Sequence, residues 1–292
     1  MRILANDGIS ESGKNKLEEY GFEVDLTKVS QDQLVSYINE NKISVILVRS
    51  ATQVRDDIID NCPSIKIIGR GGVGMDNIDV EYAKSKGIKV INTPAASSKS
   101  VAELVFSHLF GCVRFLHESN RSMPLDGDSK FKDLKKSYAK GTELAGKKLG
   151  IIGFGRIGQE VAKIGIGVGM DVIFYDKFNQ QEDLKLNFFD GQNLTFKLKS
   201  SSFEEVLSNS DFLTIHIPAS DKYIIDSNEF KKMKDGAGIL NLSRGGIINE
   251  DELIKNIESG KISFAAIDTF EGEPNPSIKV LMNSSISLTP HI

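Results

Sequence analysis

The chain has 292 residues, of which 40% are hydrophobic and 26% are charged, and its formal net charge is −4. This composition is typical of a globular protein with two medium-sized domains, and the acidic balance disfavours nucleic acid and anionic membrane surfaces as partners. Two cysteines without a C-x-x-C pattern or a Cys/His cluster argue against a disulfide framework and a zinc site, so we expect no metal. The N-terminus lacks the apolar core of a signal peptide, which predicts a cytoplasmic location.

The first hundred residues alternate short apolar runs with amphipathic segments, a pattern typical of βα units around a parallel sheet. The apolar runs predict strands over residues 2–5, 22–26, 44–48, 65–68 and 88–91. Apolar residues at helical spacing predict the intervening helices over 14–20, 31–39, 55–61 and 80–86. The first part of the chain is therefore predicted to be a small α/β domain.

One long apolar helix is predicted over 97–116, followed by a polar stretch over 121–141 that we interpret as the domain junction. The alternation then resumes, and it predicts strands over 149–152, 172–175, 212–215, 238–242, 264–267 and 286–288. This pattern favours a doubly wound parallel sheet. Residues 177–201 interrupt it, and we interpret them as a surface insertion such as a hairpin. Ser202 with Glu205, and Asp226 with Glu229, have the spacing of capping boxes and predict two helix starts.

The most informative motif is a G-x-G-x-x-G pattern between the first predicted strand and helix of the second half. It comprises Gly153, Gly155, Arg156, Ile157 and Gly158. The first glycine permits a tight turn, the second lets a pyrophosphate approach the backbone, and the third allows close helix packing. The pyrophosphate would then lie at the N-terminus of the helix.

Asp176 ends the next predicted strand, about twenty residues after the glycines. An acidic residue at this place binds the adenine ribose hydroxyls and repels the additional phosphate of NADP, so we predict NAD as the cofactor. A solvated carboxylate at a strand end is the alternative interpretation.

Further candidate residues follow the predicted strands, where open α/β sheets bind their ligands. They lie at 49–52, 69–74, 216–218, 243–246 and 268–273, and Pro290 and His291 follow the last strand. These segments, together with 92–94, 100–104 and 143–158, resemble in their order the motifs of the D-isomer-specific 2-hydroxyacid dehydrogenase family. The likeness covers nearly the whole chain.

The resemblance implies an α/β fold of two doubly wound parallel-sheet domains. Residues 1–96 would form a flavodoxin-like substrate-binding domain and residues 97–288 a Rossmann NAD-binding domain. Residues 289–292 would begin a crossover that returns to the first domain, and the family pattern implies a continuation after Ile292. A homodimer formed through the second domain, with residues 97–141 contributing, is also implied.

The resemblance further implies a catalytic trio of Arg244, Glu273 and His291. His291 would act as the acid and base, because an imidazole titrates near neutral pH. Glu273 would orient the ring and stabilise its charged form, whereas the neighbouring Glu271 is expected to be solvated. Arg244 would bind the substrate carboxylate and polarise the carbonyl group.

Cofactor contacts are implied for five further residues, which are His216, Ile217, Pro218, Ser243 and Asp268. Asp268 would lie near the nicotinamide carboxamide. His108 and His117 match no catalytic position, and we interpret them as packing or surface residues.

The substrate is predicted from residues 48–52, which resemble those of 3-phosphoglycerate dehydrogenases. Arg49 would bind a substrate phosphate, Ser50 is a further candidate substrate contact, and the backbone amides of Gly72, Val73 and Gly74 would bind the carboxylate. The predicted activity is interconversion of D-3-phosphoglycerate and 3-phosphohydroxypyruvate.

Several alternatives stay open at this point. If Arg49 is only a structural charge, a glyoxylate or hydroxypyruvate reductase or a D-lactate-type dehydrogenase is favoured. A reductase linked to NADP is a related alternative. A non-catalytic NAD sensor, similar to the corepressors that share this scaffold, is an alternative from another class.

Overall fold

The computed structural model describes all 292 residues, which divide into two compact units, Met1–Ser97 and Ser98–Ile292. Each unit is an α/β structure built around a parallel sheet. No helix has both the length and the apolar character that crossing a bilayer requires.

The sheet of the first unit has the strand order β2-β1-β3-β4-β5, with every pair parallel. Its strands are β1 (Arg2–Ala5), β2 (Glu23–Asp25), β3 (Val45–Val48), β4 (Ile67–Arg70) and β5 (Lys89–Asn92). The helices are α1 (Glu11–Glu19), α2 (Leu34–Glu40), α3 (Asp56–Asn61) and α4 (Val80–Ser85). This is the flavodoxin-like order. Strand β2 is added on one side of β1 and strands β3 to β5 on the other, so the strand order reverses between β1 and β3.

Strand β4 begins two residues later than the sequence predicts. The N–H of Ile65 donates to the carbonyl oxygen of Cys62, so Ile65 still belongs to the turn after α3. The apolar run 65–68 therefore combines a buried turn residue with the start of the strand, and hydrophobicity alone does not separate the two.

The second unit contains a six-stranded parallel sheet and a separate antiparallel hairpin. The parallel strands are β6 (Lys148–Ile152), β7 (Asp171–Tyr175), β10 (Phe212–Ile215), β11 (Ala237–Asn241), β12 (Ile262–Ile267) and β13 (Ile286–Leu288), and the hairpin strands are β8 (Gln181–Asn187) and β9 (Asn193–Lys199). The sheet order is β13-β12-β11-β10-β6-β7, which reverses between β6 and β10. Ligands of such sheets bind beyond the carboxyl ends of the strands on either side of that reversal.

Helices cover both faces of this sheet. They are α5 (Ser98–Val113), α6 (Leu116–Asp126), α7 (Phe131–Ser137), α8 (Arg156–Gly167), α9 (Phe203–Asn209), α10 (Ser227–Lys232), α11 (Glu250–Glu258) and α12 (Ile278–Leu281). Apolar residues of α5 and α8 form one core, and those of α9 and α11 form the other. Adjacent strand residues such as Ile239 and Leu240 belong to opposite cores, as expected for a sheet buried on both faces.

The predicted helix over 97–116 and the polar stretch after it are corrected by the structure. Helix α5 ends at Val113, and Phe115 has a φ of +54°, which turns the chain into α6. The polar stretch forms α6 and α7, neither of which has a buried residue, so it lacks the apolar stripe that signals a helix in a sequence.

Two smaller predictions are confirmed. Both capping boxes are present at the starts of α9 and α10. Residues 177–201 contain the β8–β9 hairpin, but Leu184 is buried in the core beside α8, so the segment is not purely a surface element.

Candidate active site

The glycine-rich loop connects β6 to α8 and has the shape that an anion requires. Gly153 has a φ of +92°, and a side chain there would collide with the backbone of His216. Gly155 faces open space, because no atom lies within 4 Å of the place where a Cβ would be. A Cβ on Gly158 would collide with the carbonyl oxygen of Gly153, so only glycine lets α8 approach the strand this closely.

Helix α8 begins at Arg156 and Ile157 without a side-chain cap, since its N-cap residue is Gly155. The first N–H groups of an α-helix have no partner within the helix, and they carry the positive end of its dipole. These amides therefore suit a phosphate group at the open face of Gly155.

Asp176 follows β7 and is bound to this loop by its own carboxylate. One oxygen accepts the N–H of Phe154 at 2.7 Å, and the other accepts the N–H groups of Phe178 and Asn179 at 2.8 Å each. Desolvation raises the pKa of Asp176, but the three N–H donors outweigh it and the pKa is lowered overall. The carboxylate is thus ionised and fixed beside the glycine loop, which argues against the alternative of a merely solvated strand-end residue.

His216, Ile217 and Pro218 follow β10, on the other side of the strand reversal. The Nε2 atom of His216 lies 2.9 Å from the hydroxyl of Thr214, whereas its Nδ1 atom is buried without a hydrogen-bond partner. Desolvation lowers the pKa of this ring to about 3, so it is neutral at physiological pH. The backbone of His216 lies against Gly153, so this segment borders the glycine loop.

The loop after β11 carries Ser243 and Arg244 and is anchored by the buried Asn241. The amide of Asn241 donates to the carbonyl oxygen of Arg244 at 2.8 Å and accepts from the hydroxyl of Ser243 at 2.8 Å. A Cβ on Gly245 would collide with the carbonyl oxygen of Phe270, so this loop lies directly against the loop after β12. Asn241 is a residue that the sequence analysis did not single out.

His291 and Glu273 are in direct contact. The Nδ1 atom of His291 lies 2.9 Å from Oε2 of Glu273, and Oε1 of Glu273 accepts the N–H of Phe270 at 2.8 Å. Arg244 lines the same cleft, which has a volume of about 330 Å³. The structure therefore brings together all three residues of the proposed catalytic trio.

Glu271, which also lines this cleft, forms a reciprocal pair with Glu250. The N–H of Glu271 donates to Oε1 of Glu250 at 2.7 Å, and the N–H of Glu250 donates to Oε1 of Glu271 at 3.1 Å. Tyr223 also donates to Glu271, at 3.1 Å. The expectation that Glu271 is solvated is therefore wrong, since its carboxylate joins the loop after β12 to the start of α11.

Asp268 follows β12 and is 3% exposed. Its Oδ1 atom accepts the hydroxyl of Thr289 at 2.6 Å and the N–H of Ile292 at 3.2 Å. Both donors lie next to the Pro290–His291 turn, so Asp268 connects the end of β12 with the segment that carries His291.

The candidate substrate residues lie in the first unit, at the carboxyl ends of the neighbouring strands β3 and β4. Asp7 holds this region by accepting the N–H of Arg49 at 2.6 Å and the hydroxyl of Thr52 at 2.6 Å. Arg49 and Ser50 are exposed, and the guanidinium of Arg49 makes no ion pair. Gly72, Val73 and Gly74 follow β4, and the N–H of Gly71 donates to Val48 of β3 at 2.8 Å.

Three residues that organise the sites were not found from the sequence, namely Asp7, Asn241 and Glu250. Each acts by binding backbone groups of a neighbouring loop, and no motif marks such a role. Only the positions of Asp7 and Asn241 at the carboxyl ends of strands β1 and β11 carry a signal.

Comparison with known proteins identifies the family. The profile of the D-isomer specific 2-hydroxyacid dehydrogenase, NAD binding domain, matches residues 106–292. A hydroxypyruvate reductase of Thermotoga maritima is 39% identical over all of this chain and 90% of its own length. A D-3-phosphoglycerate dehydrogenase of Methanocaldococcus jannaschii is 37% identical over all of this chain, which spans 53% of that relative.

Solved structures agree with this assignment. A glyoxylate reductase from Paecilomyes thermophila superimposes with a TM-score of 0.81 at 26% identity, covering all of this chain and 88% of that one. The two-sheet α/β fold and the NAD-binding character predicted from the sequence are thus confirmed. The chain belongs to the D-isomer-specific 2-hydroxyacid dehydrogenase family.

Proposed function

We propose that this chain is an NAD-dependent oxidoreductase that interconverts a D-2-hydroxy acid and its 2-oxo acid. The observation that carries the proposal is the contact of His291 with Glu273 in the cleft that Arg244 also lines. A carboxylate-bound imidazole can exchange a proton, and a guanidinium can bind a carboxylate through two parallel hydrogen bonds. These are the two tasks that the protein must perform in this reaction.

In the reducing direction, His291 donates its proton to the carbonyl oxygen of the 2-oxo acid. Nδ1 contacts Glu273, so Nε2 is the atom that exchanges the proton with the substrate. Glu273 holds the ring in this orientation and stabilises its positive charge, while Arg244 binds the substrate carboxylate and polarises the carbonyl group. NAD, when bound, supplies or accepts the hydride.

The residues present fit this cofactor. Gly155 and the uncapped first turn of α8 suit the pyrophosphate, and the ionised Asp176 suits the ribose hydroxyls while disfavouring a ribose phosphate. We assign further cofactor contacts to the segment of His216, Ile217 and Pro218 and, near the nicotinamide, to Asp268. We propose NAD rather than NADP on the basis of Asp176.

For the substrate, we propose D-3-phosphoglycerate and 3-phosphohydroxypyruvate, the first step of serine biosynthesis. Arg49 supports this choice, because an exposed guanidinium without an ion pair on a loop fixed by Asp7 suits a phosphate. Several phosphoglycerate dehydrogenases are among the relatives, although the chain spans only about half of their length. Reduction of hydroxypyruvate is the second candidate, favoured by the Thermotoga maritima relative, of which the chain covers 90%.

The test is a substrate panel with NADH absorbance as the readout. We expect turnover of 3-phosphohydroxypyruvate, and we expect Arg49→Ala to lower kcat/KM for it by about 10- to 100-fold, the loss expected for a charge-assisted hydrogen bond. The same variant should leave hydroxypyruvate and glyoxylate almost unaffected, and Lys28→Ala, which removes another exposed cation of the first unit, should change neither. Equal loss for all substrates would assign Arg49 a structural role and favour the reductase, and no turnover of any 2-oxo acid would favour the NAD sensor.

We also propose that the chain forms a homodimer through the region from the end of α5 to α7. This region exposes apolar side chains at Phe110, Leu116, Met123, Leu125 and Phe131. Exposed apolar clusters are typical of protein interfaces. The cytoplasmic location stays a prediction.

A further inference from the structure

A buried histidine far from the predicted catalytic motifs is connected to the segment that carries His291. His108 lies on α5 and is 4% exposed. Its Nδ1 atom lies 2.7 Å from the hydroxyl of Ser287, and its Nε2 atom lies 3.0 Å from the hydroxyl of Thr289. Both ring nitrogens therefore form hydrogen bonds, one with Ser287 of β13 and one with Thr289, which follows this strand.

The direction of these hydrogen bonds follows from the charge at their end. An ionised Asp268 can only accept, so the hydroxyl proton of Thr289 is donated to its Oδ1 atom. Thr289 must then accept from His108, which requires a proton on Nε2. Burial of the ring lowers the pKa of His108. The charge of Asp268 raises this pKa and that of His117 lowers it, but the pKa is lowered overall, so the ring is neutral. In a neutral ring with Nε2 protonated, Nδ1 accepts, and Ser287 is the donor.

The hydrogen bonds to Asp268 flank His291, the proposed acid and base, on both sides in the sequence. Thr289, through its hydroxyl, and Ile292, through its N–H, donate to the same Oδ1 atom of Asp268. Between them lie Pro290 and His291, and His291 has a φ of +57°. A side chain in this backbone region persists only where neighbouring contacts hold it, and these two anchors are such contacts.

We propose that His108 is a positioning residue for His291, acting through the hydroxyl of Thr289 and the carboxylate of Asp268. This inference rests on the proposed role of His291. By donating from Nε2, His108 fixes the rotation of the Thr289 hydroxyl toward Asp268. Without that donor the hydroxyl gains other orientations, one of the two anchors loosens, and the His291 ring samples positions away from Glu273.

The first test observes the histidine rings directly and needs no cofactor. The chain has only four histidines, so their ring signals can be assigned one by one. In nitrogen-15 histidine NMR of the chain without NAD, we expect His108 to appear as the neutral tautomer protonated at Nε2. His108→Leu should shift and broaden the His291 signals, whereas His108→Gln, whose amide can donate to Thr289, should restore them. Lys99→Gln, at an exposed position of the same helix, is the control and should leave them unchanged. An unperturbed His291 spectrum in His108→Leu, or a His108 protonated at Nδ1, would overturn the proposal.

The second test compares kinetic constants of folded variants, checked by thermal unfolding. His108→Leu should lower kcat by about tenfold, as slight misplacement of a catalytic group does, with KM changed less than about twofold. Thr289→Val should have a similar effect, and the double variant should be no worse than Thr289→Val alone, because both substitutions remove the same connection. Additive losses would contradict action through Thr289.

The two proposals fail in different ways. If the wild-type chain reduces no 2-oxo acid but His291 responds to His108→Leu in the NMR spectrum, the proposed function fails and the connection stands. If the wild-type chain is active and His108→Leu changes neither the spectrum nor kcat, the connection fails and the function stands.

Discussion

The imidazole of His291 and the carboxylate of Glu273 are joined by a 2.9 Å contact, and the second oxygen of that carboxylate is held by the N–H of Phe270. Glu273 is thus oriented by a backbone donor and not by a competing cation. Its carboxylate is directed at the ring that we propose as the acid and base.

Glu273→Gln is expected to lower kcat/KM by about 100-fold or more, within the range that loss of general acid–base assistance causes. The amide can still accept from Nδ1–H, but it does not stabilise a positive ring. NAD binding, measured by calorimetry, should change little, because Glu273 lies in none of the proposed cofactor contacts. Glu258→Gln, at the exposed end of α11, is the matched control and should retain full activity. Wild-type rates in Glu273→Gln would exclude the assigned role.

The glycine loop offers a pair of substitutions with opposite outcomes. A Cβ on Gly155 meets no atom, and its φ of −73° suits any residue, so Gly155→Ala should keep the unfolding temperature of the wild type. The added methyl group should nevertheless weaken NAD binding by about 1–2 kcal/mol, or roughly 5- to 30-fold, because it occupies the face open to the pyrophosphate.

Gly158→Ala should act mainly on stability and not on the face open to the pyrophosphate, since its Cβ would collide with the carbonyl oxygen of Gly153. Forcing a methyl group into a packed site costs about 1–3 kcal/mol and should lower the unfolding temperature. Differential scanning calorimetry and isothermal titration of both variants make the comparison. Equal NAD affinities for Gly155→Ala and the wild type would place the pyrophosphate elsewhere.

The parts of the site that follow regular patterns were predictable from the sequence. Apolar runs locate the strands, and because ligands gather at their carboxyl ends, the position of Gly153, Asp176 and His216 follows from the order of the elements. The contact of His291 with Glu273 was expected from the family motifs. Its geometry depends on a turn that no periodicity indicates.

The contacts that fix the loops were not predictable. His108 has the spacing of a core residue on α5, and a buried histidine on an apolar helix has the same sequence signature whether it packs or donates to Thr289. Glu250 resembles an ordinary acidic residue of a first helical turn, a position where a carboxylate is favoured anyway. Glu250 binds a residue 21 positions away in the chain, and His108 binds a residue 181 positions away. Both roles therefore depend on tertiary structure alone.

Glu250 leads to a prediction about pH. Desolvation raises the pKa of Glu250. The hydrogen bond from the N–H of Glu271 lowers this pKa, whereas the neighbouring charges of Glu271, Asp251 and Glu273 raise it further. A carboxyl group whose pKa is raised by folding destabilises the folded state above that pKa, and the cost disappears as the pH falls through it toward the unfolded value. Glu250→Gln keeps an acceptor for the N–H of Glu271 and removes the charge.

We therefore expect Glu250→Gln to raise the unfolding temperature at pH 8 by about 1–3 °C, with the gain vanishing near pH 4.5. Glu250→Ala should instead destabilise the protein at both pH values by about 1–3 kcal/mol, because it leaves the partly buried N–H of Glu271 without its acceptor. Thermal unfolding across this pH range distinguishes the charge from the hydrogen bond. A Gln variant less stable than the wild type at pH 8 would show that the charge itself is required.

The exposed apolar side chains around α6 and α7 predict the quaternary structure. Leu125 is 79% exposed and Phe131 is 56% exposed, which is costly in water unless a partner covers them. Light scattering should give twice the chain mass for the wild type and the chain mass for the double variant Leu125→Lys, Phe131→Lys, because two buried lysines in an apolar interface lose their hydration. Phe189→Lys, at the tip of the β8–β9 hairpin and fully exposed, is the control that should leave the dimer intact. If instead Phe189→Lys dissociates the dimer and the double variant does not, the interface is formed by the hairpin, whose aromatic tip would then be the surface that two copies share.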